Sequence, residues 1–335
     1  MAEVVARAGV PGPRGRLLEM IVVGAAAALI IIFSVAVDGF ATAGNLGVML
    51  SNSASLVILS CGMAVVIISR GLDLSLIAAM IAGATTFSTL IAAGVPAPVA
   101  LLVTIAVMIA IGLANAWLIA YVEIPALLAT LASAMFITGL FRFAILRGEY
   151  LLLLPKSNPA VVFLSGELMP GVPTPVVLML VTVAASWILM RYSTAGRTIQ
   201  AMGDNFQAAR LTGLPVRTTT IVVYVFAALT ALLAGLVMSA ASGTVDFRTV
   251  TNGTLLFDVI LVVVLGGIPL RGGHGGIRNI VIGIALIAVL RNGMTLMNVT
   301  TQMQDVIKGL VLLTAIVADK YFNPRDAETD TIGDL

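Results

Sequence analysis

A charged side chain inside a long apolar run is expensive to keep, so such residues are the first places to look for chemistry. In this chain they are Asp73, Asp258, Arg142, Arg291 and Lys308. Asp73 follows Arg70 in SRGLDLS at 69–75, where a salt bridge or a helix N-cap would satisfy it as well as a functional role. Asp258 and Lys308 lie a few residues inside apolar runs and can snorkel, pair, or serve a proton relay. Asn115, Thr130, Asn252 and Asn292 are polar groups on otherwise apolar stretches. They can hydrogen-bond a hydroxylated solute, and they can equally join helices, the commoner use of such residues in membranes.

Bond-making chemistry finds no support in the sequence. There is no G-x-x-x-x-G-K-[ST] phosphate loop, so ATP hydrolysis by that route belongs to another chain. One histidine and one cysteine, with no H-E-x-x-H or C-x-x-C spacing, argue against a protein-built metal site. His274 stands in GGHGG at 272–276 and reads as a turn residue; no serine sits in a G-x-S-x-G elbow. Cys61 lies in an apolar run and reads as a small buried hydrophobe. A net charge of +2 gives no reason to expect a nucleic-acid partner.

The elements that position these residues are apolar helices. Hydrophobic residues make up 60% of the chain and charged residues 10%, and the mean hydropathy is +1.11, which points to lipid as the solvent. A helix needs about 20 apolar residues to cross a hydrocarbon core. Apolar runs between polar or Pro/Gly breaks predict spans near 20–37, 53–69, 74–93, 98–120, 125–146, 174–190, 218–240, 255–270, 277–296 and 303–319. The expected fold is an all-α integral membrane protein, with about ten transmembrane helices in one bundle spanning residues 20–322. A cytoplasmic segment, 1–19, precedes it and a polar cytoplasmic tail, 323–335, follows.

Basic residues in short loops set the orientation. With the N-terminus inside, Arg7, Arg14, Arg16, Arg70, Arg191, Arg197, Arg210, Arg217, Arg271, Arg278, Lys320 and Arg325 fall on the cytoplasmic side, and Arg147, Lys156 and Arg248 outside. The outer loop 147–173 carries Pro155, Pro159, Pro170 and Pro173 among apolar residues and predicts an ordered cap. The inner segment 191–217 predicts a short helix, with Asp204 as N-cap, Gln207 completing a capping box, and Gly213 and Pro215 as the stop. About eight residues are too few for a stable isolated helix, so it must dock on something.

Four segments in order resemble the permease subunits of the ribose-type bacterial ABC importers, in the branched-chain/ribose permease superfamily. GLDLS at 71–75 resembles the family's turn after its second span, although Leu76 and Ile77 replace the usual Val-Gly; Gly71, Asp73 and Ser75 are its structural residues. IPALLATLA at 124–132, with Pro125, resembles I-P-x-F-I-x-T-L-G, and Asn115 stands where an asparagine usually precedes it. GRTIQAMGDNFQAARLTGL at 196–214 resembles G-R-x-I-x-A-x-G-x-N-x-x-A-A-x-L-x-G-I, with Leu214 for the isoleucine. VLGGIPLRGGHGG at 264–276 resembles V-L-G-G-x-S-L-x-G-G-x-G, with Pro269 for a small hydroxylated residue.

The resemblance implies a non-catalytic permease working by alternating access for a monosaccharide or related polyol. It implies as partners cytoplasmic ABC ATPase subunits holding ATP and magnesium, a second permease subunit, identical or homologous, and an extracytoplasmic solute-binding protein. No cofactor is expected on this chain. The helix after Asp204 becomes a coupling helix, with Gly196, Arg197, Gly203, Asp204, Asn205, Gln207, Ala208, Ala209, Arg210 and Gly213 as coupling residues. Ala208 and Ala209 are expected to let it approach the ATPase closely, and Arg210 to pair with an ATPase carboxylate. Asn115, Thr130, Asn252, Asp258 and Asn292 are the expected lining of the solute path. The rival readings are a proton- or sodium-coupled secondary transporter, which would use Asp258, and a membrane-embedded enzyme.

The orientation is tested with cysteines placed at Ser157 and Thr329 and labelled by an impermeant reagent in intact spheroplasts. Labelling at 157 alone is expected; labelling at 329 alone would reverse the topology.

Overall fold

The computed structural model describes the backbone of residues 13–322 and the side chains of residues 19–317. The polar tail 323–335 and most of the expected N-terminal cytoplasmic segment lie outside the described residues. Each of the ten expected spans falls on a helix: α1 (Pro13–Ala36), α2 (Ala43–Ile68), α3 (Leu76–Ala92), α4 (Ala97–Ala120), α5 (Ala126–Ala144), α7 (Thr174–Tyr192), α10 (Val216–Ser242), α12 (Thr254–Leu265), α13 (Ile277–Leu296) and α14 (Thr301–Phe322). Four shorter helices complete the set: α6 (Pro159–Ser165), α8 (Thr194–Asp204), α9 (Phe206–Leu211) and α11 (Arg248–Asn252). Among the described residues, seven helices (α1, α2, α4, α5, α7, α10 and α13) are long and apolar enough to cross a membrane, while α3 and α12 are shorter apolar helices.

Helix α2 runs ten residues further back than its apolar run predicts. Thr42 caps it, its hydroxyl accepting from the Asn45 N–H at 3.3 Å, and the stretch from Asn45 to Ser53 is helical although Asn45, Ser51, Asn52 and Ser53 break the hydropathy pattern. From Leu56 to Ile68 every residue is buried, so this helix is apolar all round because it is enclosed all round. Helices α7, α10, α12 and α13 pack on it. The outer helices are inside out by soluble standards: Phe136 and Phe143 on α5 and Val35 on α1 stand largely exposed, as lipid-facing residues do.

The loop 147–173 is ordered. Strand β1 (Leu151–Leu153) pairs antiparallel with β4 (Thr244–Asp246), and β2 (Glu167–Met169) with β3 (Val172–Pro173). Helix α6, capped by Asn158, packs on α10 and α7. The β1–β4 pair brings the connection after α10 to the same end of the bundle as this loop. That agrees with assigning both to one side.

Helix α4 crosses α10 backbone to backbone. A Cβ at Gly112 would stand 2.7 Å from the Cα of Val225 and 2.9 Å from the Tyr224 carbonyl oxygen, so only glycine admits this backbone contact. Gly112→Ala is expected to destabilise the protein by about 1–3 kcal/mol through overpacking. Thermal unfolding of the detergent-purified variant reads this directly; an unchanged midpoint would show that the crossing can open.

Candidate functional site

The end of the bundle assigned to the cytoplasm holds two linked structures. The first is a buried polar knot under the turn 69–75. Asp73, 3% exposed, accepts through Oδ1 from the Ser75 N–H at 2.8 Å and from the Ser75 hydroxyl at 2.5 Å. The Ser75 hydroxyl accepts in turn from Asn115 Nδ2 on α4 at 2.8 Å. Thr130, in the second turn of α5 after Pro125, donates to carbonyls including Ala126 at 2.8 Å and accepts from the Leu74 N–H at 3.1 Å. Gly71 leaves room for the Tyr224 hydroxyl of α10, which a Cβ would approach to 2.8 Å. Among the described residues no cation pairs with Asp73. Burial therefore pushes its carboxyl above the usual range, and the two Ser75 donors offset this only in part.

The second structure is the corner between α8 and α9, and it departs from the expected capping. Asp204 ends α8; the N-cap of α9 is Asn205, whose Oδ1 accepts from the Ala208 N–H at 2.9 Å. Asn205 wins because α8 continues helically through Asp204, leaving Asn205 as the first extended residue, with ψ near 100°. Gln207 is therefore not at the third helical position and forms no capping box; it is exposed. Helix α9 has six residues, shorter than expected, and ends before Gly213 in the left-handed region at φ 77°.

Ala209 is buried within the chain against Met202, Phe206 and Val216, so it is not on a free docking face. The exposed residues of the corner are Asp204, Asn205, Gln207, Ala208, Arg210 and Leu211, the last 87% exposed. Arg210 pairs inside the chain with Glu123 at 3.3 Å, beside Arg217 at 3.6 Å from the same carboxylate oxygen. Gly196 is buried under the end of α7, and Arg197 is exposed.

The corner rests on the core without side chains between. A Cβ at Gly203 would collide with the Ile68 carbonyl at the end of α2 and with the Gly273 N–H, and that N–H donates to Ile68 O at 2.9 Å. His274 Nδ1 lies 3.3 Å from Asp204 Oδ1. The glycine-rich loop 266–276, the end of α2 and the α8–α9 corner are thus packed backbone to backbone.

The expected solute-path residues do not converge. Asn115 and Thr130 belong to the knot. Asn292 exchanges amide hydrogen bonds with Asn45, at 2.9 and 3.0 Å, joining α13 to α2. Asp258 is paired with Lys308 at 2.9 Å, and Asp305 lies 3.0 Å from the same ammonium, so Asp258 is not the free carboxylate a coupled-ion mechanism would use. Asn252 is exposed at the end of α11. Arg142 stacks 3.8 Å over Tyr150 and donates to Gly148 O, closing its own turn, and Arg291 is exposed. Glu19, Asn45, Glu123, Tyr224 and Asn279 escaped the sequence reading, although Asn45 shortly before a span was a visible cue.

An enclosed bundle with an ordered cap at one end and a glycine-packed corner at the other defines a multi-pass membrane permease. A family profile described as the branched-chain amino acid transport system/permease component matches residues 45–316, and the chain belongs to that family. It is 32% identical to the ribose import permease protein of Escherichia coli (strain K12), over 87% of this chain and 90% of that protein. It is 32% identical to the L-arabinose transport system permease protein of the same strain, over 88% of each. With that strain's galactofuranose transporter permease protein the identity is 33%, over 80% of this chain and 77% of the other. No solved structure matches.

Asp73 generates a prediction with a definite sign. Its folded-state value is raised above the unfolded 3.8, so its contribution to stability is fully present below that value and is lost as pH rises through the folded one. Asp73→Asn keeps an acceptor for Ser75 but cannot ionise. The melting temperature of the variant relative to wild type is expected to rise as pH is raised above about 4. A relative fall would show that the ionised carboxylate is the stabilised form.

Proposed function

We propose that this chain is the permease subunit of an ATP-driven importer of a monosaccharide or related polyol, lying in the bacterial cytoplasmic membrane. It crosses about ten times with both termini inside. Two permease subunits, identical or homologous, form the solute path, and an extracytoplasmic binding protein delivers solute to the face bearing the β1–β4 pair. ATP and magnesium act in separate cytoplasmic ATPase subunits; this chain performs no bond chemistry. The names of the relatives, for ribose, L-arabinose and galactofuranose transport, support the substrate class.

One observation carries the coupling role: the short α9, with an exposed leucine at its tip, follows directly on α8, whose Gly203 meets the backbone at the end of α2. A partner that moves Leu211 must move Gly203, and with it Ile68 and the loop 266–276. ATP binding then shifts the permease between states because the partner docks differently on each, the differential interaction any such shift requires.

Leu211 is the informative residue to change, since Ala209 would disturb the chain's own packing. Leu211→Asp is a surface substitution expected to alter permease stability by no more than about 0.5 kcal/mol. Under the docking assignment it abolishes co-purification with the ATPase and solute-stimulated hydrolysis. Uptake of labelled D-ribose, L-arabinose, D-xylose and D-galactose into proteoliposomes with the matching binding protein identifies the solute. Wild-type co-purification and stimulation by the Leu211→Asp chain would overturn the assignment.

A further inference from the structure

The loop 266–276 has a second anchor, at its two ends. Asn279, 6% exposed in the first turn of α13, donates through Nδ2 to Gly266 O at 2.6 Å and to Glu19 Oε1 at 2.9 Å. Its Oδ1 accepts from the Gly276 N–H at 3.0 Å. One amide thus ties the two ends of the loop to each other and both to α1. Glu19 is 7% exposed and also receives Arg278, whose guanidinium is mostly solvated.

The amide has one workable orientation. Flipped, it would present its oxygen to the Gly266 carbonyl and the Glu19 carboxylate, three acceptors facing one another, and its NH2 to the Gly276 donor. A carboxylate at 19 therefore orders the amide, and the amide sets the spacing between Gly266 and Gly276. Gly273 and His274, which meet the α8–α9 corner, lie between those two ends.

We infer that Asn279 is a positioning residue through which the first helix holds the glycine-rich loop in register with the coupling corner, and that Glu19 orients it. This rests on the docking role given to that corner. Asn279 touches neither solute nor ATPase; it determines how fully a movement of the corner reaches α2 and α13.

The test reconstitutes the permease with the ABC ATPase that co-purifies with the wild-type chain and measures labelled D-ribose, L-arabinose, D-xylose or D-galactose transported per ATP hydrolysed. Asn279→Asp changes no volume but removes both donors. It is expected to lower the transport-to-hydrolysis ratio about tenfold while the ATPase stays bound. Glu19→Ala should do the same, Glu19→Gln, which keeps the acceptor, should restore most of the ratio, and Arg278→Ala should leave it near wild type. An unchanged ratio in Asn279→Asp, or equal damage from Glu19→Gln and Glu19→Ala, overturns the inference. Where Asn279→Asp does not fold, the two Glu19 variants decide it. Failure of the wild-type chain to bind any ATPase would instead remove the docking assignment, a separate result.

Discussion

The rest of the structure depends on the closeness with which three pieces of backbone meet at one end of the bundle. Gly203, the carbonyl of Ile68 and the N–H of Gly273 share a volume too small for a single methyl group. Side-chain contacts can shear by rotamer changes, whereas a backbone contact satisfied by a hydrogen bond moves as a body or breaks. The α8–α9 corner is six residues of helix on the end of one of eleven, with little stability of its own. It is held in place by what it rests on, which makes it suited to passing on a push.

Beneath that contact, the apolar bundle contains many polar side chains, and most of them bind one another or the backbone. Asp73 with Ser75 and Asn115, Thr130 with the turn backbone, Asn45 with Asn292 and Asp258 with Lys308 each join elements distant in sequence. In a low-dielectric interior an unpaired group costs more than a paired one gains, so such pairs specify which helices meet as much as they stabilise the meeting. Residues that suggest a hydrophilic path when read along the chain are, in three dimensions, largely the joints of the bundle.

This explains what was legible beforehand. Apolar periodicity reports burial or lipid exposure alike, so ten helices could be placed but the enclosed position of α2 could not. Its first turns, from Asn45 to Ser53, read as a break because hydropathy does not register that Asn45 has a partner on α13. The capped helix was visible at its stop, Gly213, whose positive φ is a local property. Its start was misplaced by one residue because Asp204 and Asn205 are equally good caps, and the choice depends on how far α8 extends, which tertiary packing of Ile199 and Met202 decides. The burial of Ala209 and the Arg210–Glu123 pair depend on contacts across the fold, which no local pattern encodes.

The two ends of the bundle are built differently. At the end carrying the α8–α9 corner, connections are backbone to backbone, with glycines at 203, 272 and 273. At the opposite end they are made by side chains and short strands: β1 on β4, Arg142 over Tyr150, and the Lys308 ammonium between Asp258 and Asp305 near the starts of α12 and α14. Backbone packing transmits displacement with little loss and a two-stranded ladder has little stability of its own, while the buried Lys308–Asp258 pair is costly to part. The chain thus joins its elements by glycine-lined backbone contacts at one end and by side-chain pairs and short ladders at the other.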